Sequence, residues 1–386
     1  MIITVVCDVL GEENNGTTIA AMNLIRFLKS QGHIVRILCG DANKIGQDNY
    51  YVVPNYNFGK LLNAYVKKVG VTLAKPIKSI IEQTLDGADL VHIMVPLALG
   101  IATVKVAKEK GIPITAGFHM QAENLTCYLK INKLKPINHL VYKVIYKKMY
   151  KYVDAIHYPT QFIRDVFESH IKVKTNGYVI SNGVHSYVQK RDVPKPEEFK
   201  DKIVLLMIGR YAREKSQDTL LKAVNYSKYK DKLQIILAGQ GTKGKYYQKL
   251  AKRCVVPPVL KFFGREEVID VINYSDIYVH TAEAELEGIA CLEAICCGKL
   301  TIVSDSRLSA TKGFAVDSKC IYKNRKPKDL ARVIDYFIEH PEEKAECEEK
   351  YLNSSLCYSQ EDCMRRMEQM MIDVITAKKL AVGTEE

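Results

Sequence analysis

Short β-branched apolar runs alternate with segments of helical period through both halves of the chain, and that alternation leaves few folds open to it. Apolar runs of this kind suit strands buried on both faces, which occur in parallel sheets whose neighbours are joined by crossover helices. In the first half, strands are predicted at Ile2–Val6, Ile34–Leu38, Leu90–Val95, Ile112–Phe118, Ala155–Tyr158 and Tyr178–Ile180. In the second they fall at Ile203–Ile208, Leu233–Ala238, Val259–Phe263, Ile277–His280 and Leu300–Val303. Between the halves, 186–202 carries Pro194, Pro196 and dense charge without an apolar period, and reads as a linker. At 386 residues the chain exceeds what one core usually serves. The expectation is α/β: two doubly wound domains over 1–185 and 203–357, a linker at 186–202, and a helix within 358–386 that packs back on the first domain. In such sheets ligands bind beyond the carboxyl ends of the strands, which directs attention to the loops there.

Hydrophobic residues at 47% and charged residues at 26% exclude a disordered chain. Eleven cysteines, with no CxxC pair and no zinc spacing, read as free thiols of a reducing compartment, so a cytosolic setting is expected. Met1 to Val6 lacks a basic n-region and reads as a first strand, not a signal peptide. The apolar stretch from Val91 to Val104 is broken by His92, Pro96 and Gly100, too short to span a bilayer.

The net charge of +12 is local. Between Asp48 and Glu82 there are five lysines and no acid; between Glu123 and Asp154 there are seven lysines and no acid. Those two stretches hold the whole excess, and the remainder sums to near zero. Over Ile137–Tyr152 the apolar residues Ile137, Leu140, Val141, Val144, Ile145 and Met149 share a helix with Lys143, Lys147 and Lys151 at every fourth position. A basic amphipathic helix of this kind suits an anionic membrane surface, and an ordinary domain helix with solvated lysines would read the same. The stretch from Lys60 to Lys78 mixes lysine and apolar residues in a similar way, which favours membrane contact. No zinc-finger or RRM-type motif accompanies the lysines, so nucleic acid is not an expected partner.

The strand ending at Ile208 leads into Gly209-Arg210-Tyr211-Ala212-Arg213-Glu214-Lys215. Arg210 and Lys215 suit a diphosphate, the one as a fork and the other as a point charge, although a solvated basic loop has the same composition. After Ile277–His280 comes a loop with Glu285, then Gly288 and a helix-like run from Ile289 with Glu293 about a turn inside it. Carboxylates accept from sugar hydroxyls, and the free amides at Gly288, Ile289 and Ala290 donate to phosphate. The segment Gly239-Gln240-Gly241-Thr242-Lys243-Gly244 also matches the dinucleotide fingerprint. It follows the second strand of its domain, and the next strand ends in Phe262-Phe263-Gly264-Arg265 with no acid to take a ribose, which argues against a nicotinamide cofactor.

Gly209, Arg210 and Lys215, the glycine loop at Gly239 and Gly241, and the Glu-x7-Glu of Glu285 and Glu293 occur in this order. Together they resemble the C-terminal domain of retaining GT-B glycosyltransferases of family 4. The resemblance implies two Rossmann-like domains facing across a cleft and transfer from a nucleotide sugar, with neither a metal nor another cofactor. It implies that Glu285 contacts donor-sugar hydroxyls, that Glu293 takes the ribose, and that Arg210 and Lys215 hold the diphosphate and stabilise the departing charge. It also places His119, in the polar run after Phe118, near the donor sugar, and Gly16 in the loop after the first strand; here Asn15-Gly16 stands in place of the usual glycine pair. The runs His-Met-Gln-Ala-Glu-Asn and Ala-Glu-Leu-Glu-Gly-Ile-Ala-Cys-Leu-Glu resemble the bacterial subgroup that glucosylates diacylglycerol, with Glu287 in place of an aromatic residue. That likeness implies UDP-glucose as donor, a lipid acceptor, and a protein held peripherally at the inner face of the cell membrane. Enzymes of surface polysaccharide and lipid-linked oligosaccharide assembly share parts of the pattern. A nicotinamide oxidoreductase and a non-catalytic membrane-associated nucleotide-binding protein remain the alternatives from other classes.

Overall fold

A computed structural model describes residues 1–10, 16–57, 59, 73–123 and 135–383. The loop 11–15, most of the basic stretch from Lys60 to Lys78, and Asn124 lie outside the described residues. The chain divides into two units: one takes in 1–122, 134–182 and 361–386, the other 123–133 and 183–360.

In the first unit the described strands are β1 (Ile2–Cys7), β2 (Ile34–Cys39), β3 (Tyr50–Val52), β4 (Leu90–Ile93), β5 (Ile114–Gly117), β6 (Ala155–Tyr158) and β7 (Gly177–Val179). They form one sheet in the order β3-β2-β1-β4-β5-β6-β7, every pair parallel. From Ile3 to Cys7, β1 is buried on both faces, as a central parallel strand must be. Helix α1 (Gly16–Ser30) follows β1, α2 (Lys78–Leu85) precedes β4, α3 (Ala98–Glu109) follows β4, α4 (Lys135–Lys148) precedes β6, and α5 (Gln161–Ile171) follows it. The strand order reverses between β1 and β4. There Asp8, wholly buried, accepts from the amides of Leu99 (2.9 Å) and Gly100 (3.1 Å), satisfying the start of α3.

The second unit is built around β8 (Ile203–Ile208), β9 (Leu233–Ala238), β10 (Val259–Lys261), β11 (Ile277–His280), β13 (Thr301–Ser304) and β15 (Ile321–Tyr322), in the parallel order β10-β9-β8-β11-β13-β15. A separate two-stranded ladder joins β12 (Ala284–Glu285) to β14 (Leu308–Ser309). Glu285, expected on a loop, therefore sits on a short strand whose pairing holds its backbone in place. Helices α6 (Asp218–Ala223), α7 (Gly244–Ala251), α8 (Arg265–Tyr274), α9 (Ile289–Cys296), α10 (Pro327–Glu339) and α11 (Pro341–Ser354) fill the connections. The sheet switches direction between β8 and β11, which are direct neighbours through Ile277↔Leu205 and Tyr278↔Leu206.

Two segments differ from a simple pair of domains. The stretch 186–202, expected as a linker, is fastened to the second unit: Val188 and Phe199 enter its core, and Lys195 pairs with Asp276 at 2.7 Å. Its charges misled because Lys195 and Lys202 find partners in the second unit, Asp276 (2.7 Å) and Asp231 O (3.0 Å), and its backbone is tied to α8, where Asn273 accepts from the Arg191 amide at 2.8 Å. The closing helix α12 (Gln360–Gly383) carries Cys363, Met364, Met367, Met370, Met371, Val374 and Ile375 into the core of the first unit beside Ile3, Val5 and Leu24. Where it departs from the second unit, Val184 donates to Tyr358 O (2.7 Å) and Gln360 donates to Val184 O (3.0 Å). Gly183 has φ +75° there, and a Cβ would stand 2.4 Å from Gln360 Cα, so only glycine fits.

Candidate active site

The switch between β8 and β11 brings the Gly209–Lys215 loop against the loop after β11. The same loop also packs against the loop after β9, a contact that glycines make possible. Gly209 donates to Ala238 O (2.9 Å), Tyr211 to Gln240 O (2.9 Å), and Lys243 to Tyr211 O (2.9 Å), so the loops after β8 and β9 are laced backbone to backbone. A Cβ at Gly239 would lie 2.2 Å from Gly209 O, and one at Gly241 2.6 Å from Tyr211 O. The G-x-G-x-x-G pattern is thus accounted for at its first two glycines by loop packing, without a dinucleotide.

Lys215 arrives through a strained turn. Ser216, next in the chain, has φ +51°, which a residue with a side chain adopts only when its surroundings impose it. The Thr281 hydroxyl imposes it here, lying 2.9 Å from Lys215 O and 3.0 Å from Ser216 O. So held, the Lys215 ammonium meets Glu285 Oε2. Burial alone would raise the Glu285 carboxyl, but Lys215, with help from His280, holds it down at about 2, so the pair is ionised. His280 ends β11 with its Nε2 3.3 Å from the same oxygen, and burial presses its own pKa below the ordinary imidazole value.

Glu293 is buried one turn into α9 and pairs with Arg265 Nη1 at 2.6 Å. Burial raises its pKa while Arg265 opposes the rise. Arg265 also donates to Tyr187 Oη at 3.2 Å. Gly288 caps α9 with φ +94°; a Cβ would lie 2.6 Å from Thr311 Cγ2 and 3.3 Å from Glu285 Cγ, so a side chain there would crowd the glutamate. The first intrahelical bonds run from Cys291 (2.8 Å) and Leu292 (3.1 Å) to Gly288 O, which places Ile289 and Ala290 as the amide-bearing first turn. Arg210 is half exposed and pairs with Glu214 at 3.0 Å. The structure therefore brings Lys215 and Glu285 into contact, whereas Arg210 and Glu293 each have a different partner.

His119 and Gly16 belong to the first unit. Gly16 opens α1 beyond β1, with open space where a Cβ would stand. His119 follows β5, and its ring folds back so that a Cβ on Gly117 would lie 2.5 Å from its Nε2. Its ring stands 5.4 Å from that of His157 on β6, edge to face. Burial lowers His92 to about 3 and His157 to about 4, and lowers His119 well below the ordinary value. All three imidazoles are neutral at physiological pH. On α4, Leu140 (61% exposed) and Val144 (40%) share the outer face with the exposed Lys143 and Lys147, and Lys151 is exposed just beyond the helix.

Sequence reading passed over His280, Thr281, Arg265 and Tyr187. Arg265 was visible as a cation at a strand tip, and His280 as the polar terminus of an apolar strand. Their relevance depends on which strands are neighbours.

Two parallel doubly wound units, with a cation–carboxylate pair and a helix start at a switch point, define the GT-B class of sugar-transferring proteins. Known proteins agree with this assignment. Residues 14–186 match the family model described as Glycosyltransferase Family 4, and 188–352 match that of Glycosyl transferases group 1. The alpha-monoglucosyldiacylglycerol synthase of Streptococcus pneumoniae is 23% identical over 301 residues, 74% of this chain and 66% of that protein. An uncharacterised glycosyltransferase of Methanocaldococcus jannaschii is 29% identical over 37% of this chain and 38% of its own length. The chain thus spans less than two thirds of either relative. Among solved structures, Anabaena HepE in complex with UDP superposes with a TM-score of 0.74 over 96% of this chain and 99% of that one, at 14% identity. The chain belongs to the GT-B glycosyltransferases of family 4, a nucleotide-sugar-dependent class. The oxidoreductase alternative is set aside on this ground.

Proposed function

We propose that the protein transfers a hexose, glucose from UDP-glucose, with retention of configuration to a membrane lipid such as diacylglycerol. The observation that carries the reading is the Lys215–Glu285 pair at the switch point, beside the amide-bearing start of α9. On this reading the donor diphosphate is met by Lys215, Arg210 and the amides of Gly288, Ile289 and Ala290, which stabilise the charge that develops on departure. Gly209, Gly239 and Gly241 keep the loops after β8 and β9 close enough for their backbone to reach the nucleotide and phosphates, and Gly16, at the start of α1, is assigned to the donor as well. Glu285 accepts from sugar hydroxyls, Glu293 accepts from the ribose, and neutral His119 is assigned to the donor sugar. No metal and no further cofactor takes part.

The lipid acceptor is supported by the pneumococcal relative, an alpha-monoglucosyldiacylglycerol synthase, and by the outer face of α4, where Leu140 and Val144 sit among lysines. Lys143, Lys147 and Lys151 are assigned to an anionic membrane surface, placing the enzyme peripherally at the inner face of the cell membrane. Among the described residues no helix is long and apolar enough to cross a membrane.

The test is incubation with a panel of nucleotide sugars and lipid extract, with products identified by mass and linkage. A hexosyl-diacylglycerol formed from UDP-glucose is expected. Transfer only to water-soluble or polyprenyl-linked sugars would move the protein to polysaccharide assembly, and tight UDP binding without turnover would make it a non-catalytic binding protein. Glu285→Ala and Lys215→Ala should each lower kcat by at least about 100-fold in folded protein.

A further inference from the structure

Glu285 has two neighbours at one carboxylate oxygen. Lys215 Nζ bonds to Oε2, and His280 Nε2 stands 3.3 Å from it. The His280 ring is 1% exposed, its Nδ1 is 3.2 Å from Tyr278 Oη, and its Nε2 makes no well-aligned hydrogen bond. A buried imidazole nitrogen held near a carboxylate without a well-aligned bond is costly unless some state of the protein improves the contact.

The reaction provides such a state. Under the function proposed above, on which this inference rests, Lys215 turns to the donor diphosphate. Glu285 would then be a buried carboxylate without its cation, the most expensive arrangement a buried pair can fall into. We propose that His280 is the positioning residue for Glu285, donating from Nε2–H to Oε2 when the diphosphate draws Lys215 away. In this assignment the Tyr278 hydroxyl, 3.2 Å from Nδ1, donates to it and leaves the ring proton on Nε2, while burial lowers the ring's pKa. The exchange therefore needs no proton from solvent. Glu285 changes partner, keeps its charge, and stays aimed at the sugar. The end of β11 thus serves both members of the pair: His280 takes the glutamate, while Thr281 fixes the turn that carries the lysine.

Three substitutions separate this role from packing. In Gln the side-chain amide reaches roughly where Nε2 stands, in Asn it reaches where Nδ1 stands, and Leu fills the volume with no donor. With UDP-glucose and a lipid acceptor, His280→Leu should lower kcat about 100-fold while the Kd for UDP moves less than about 3-fold. His280→Gln should recover most of that loss and His280→Asn should not. In the unaltered protein, the 15N signal of His280 Nε2 should shift toward a stronger donated bond when UDP-glucose is added. Full kcat in folded His280→Leu, equal behaviour of Gln and Asn, or an unmoved 15N signal at saturating donor overturns the proposal. Glu285→Ala with full activity would instead overturn the function on which it rests. An inactive Glu285→Ala beside a fully active His280→Leu removes His280 alone.

Discussion

At the scale of single residues, the second unit's site is assembled from groups that tolerate little change. The Glu285 carboxyl sits at about 2, below its ordinary 4.5, because Lys215 outweighs the penalty of burial. A depressed carboxylate contributes stability that is present above 4.5 and lost as pH falls toward 2. Lys215→Met removes the cation and leaves only the neutral His280 donor, so burial outweighs what remains and the carboxyl moves upward from about 2. The variant should lose about 3 kcal/mol at pH 7 and much less near pH 2, where the parent's Glu285 also takes a proton. Urea midpoints at the two values check this, and equal losses would mean that the pair contributes little. Gly239→Ala should cost about 2 kcal/mol or more and weaken UDP binding, since its Cβ would press on Gly209 O at 2.2 Å. Thermal melting with and without UDP measures both effects.

At the scale of elements, the long buried strands were legible because burial on two faces writes itself as an unbroken apolar run. Ile203–Ile208, Leu233–Ala238 and Ile277–His280 coincide with β8, β9 and β11. The shortest strands need not carry that signature: β3 is half buried and β15 has two residues, and both were missed, whereas the three-residue β7 and β10 were found. The same limit hid β12, whose pairing with β14 lifts Glu285 off a loop. Periodicity also says nothing about which strands adjoin, so the motifs could be found along the sequence while the His280–Glu285 contact could not. On α12 the apolar residues Met364, Met367, Met371, Val374 and Ile375 recur at helical spacing and fill one face. Met371, wholly buried, is the position to test: Met371→Ala should cost about 2–5 kcal/mol in chemical denaturation. A smaller loss would show that α12 only rests on the first unit.

At the scale of the whole molecule, the charge map has more relief than a total suggests. Outside the two lysine-rich stretches the sum is near zero, yet no acid occurs between Asp231 and Glu266, where eight lysines and arginines stand. The rest of the chain is correspondingly acidic. Attraction to an anionic surface should therefore depend on particular faces and fall with salt. The triple variant Lys143→Glu, Lys147→Glu, Lys151→Glu should lower partitioning onto vesicles with 30% anionic lipid by more than about 100-fold, at roughly 1 kcal/mol for each lysine removed. Equal recruitment of variant and parent would show the lysines to be only solvated.

The position of α12 has a consequence for how the protein is made. On the ribosome, residues 1–182 emerge first, followed by the contiguous 183–360 that hold nearly all of the second unit, and only then the methionines that close the first core. The earlier unit is thus the later one to be completed. Throughout synthesis of the second unit, apolar side chains such as Ile3, Val5 and Leu24 wait for a segment that does not yet exist. A nascent chain stalled near residue 360 should be a better client for a chaperone than one stalled past Ile375.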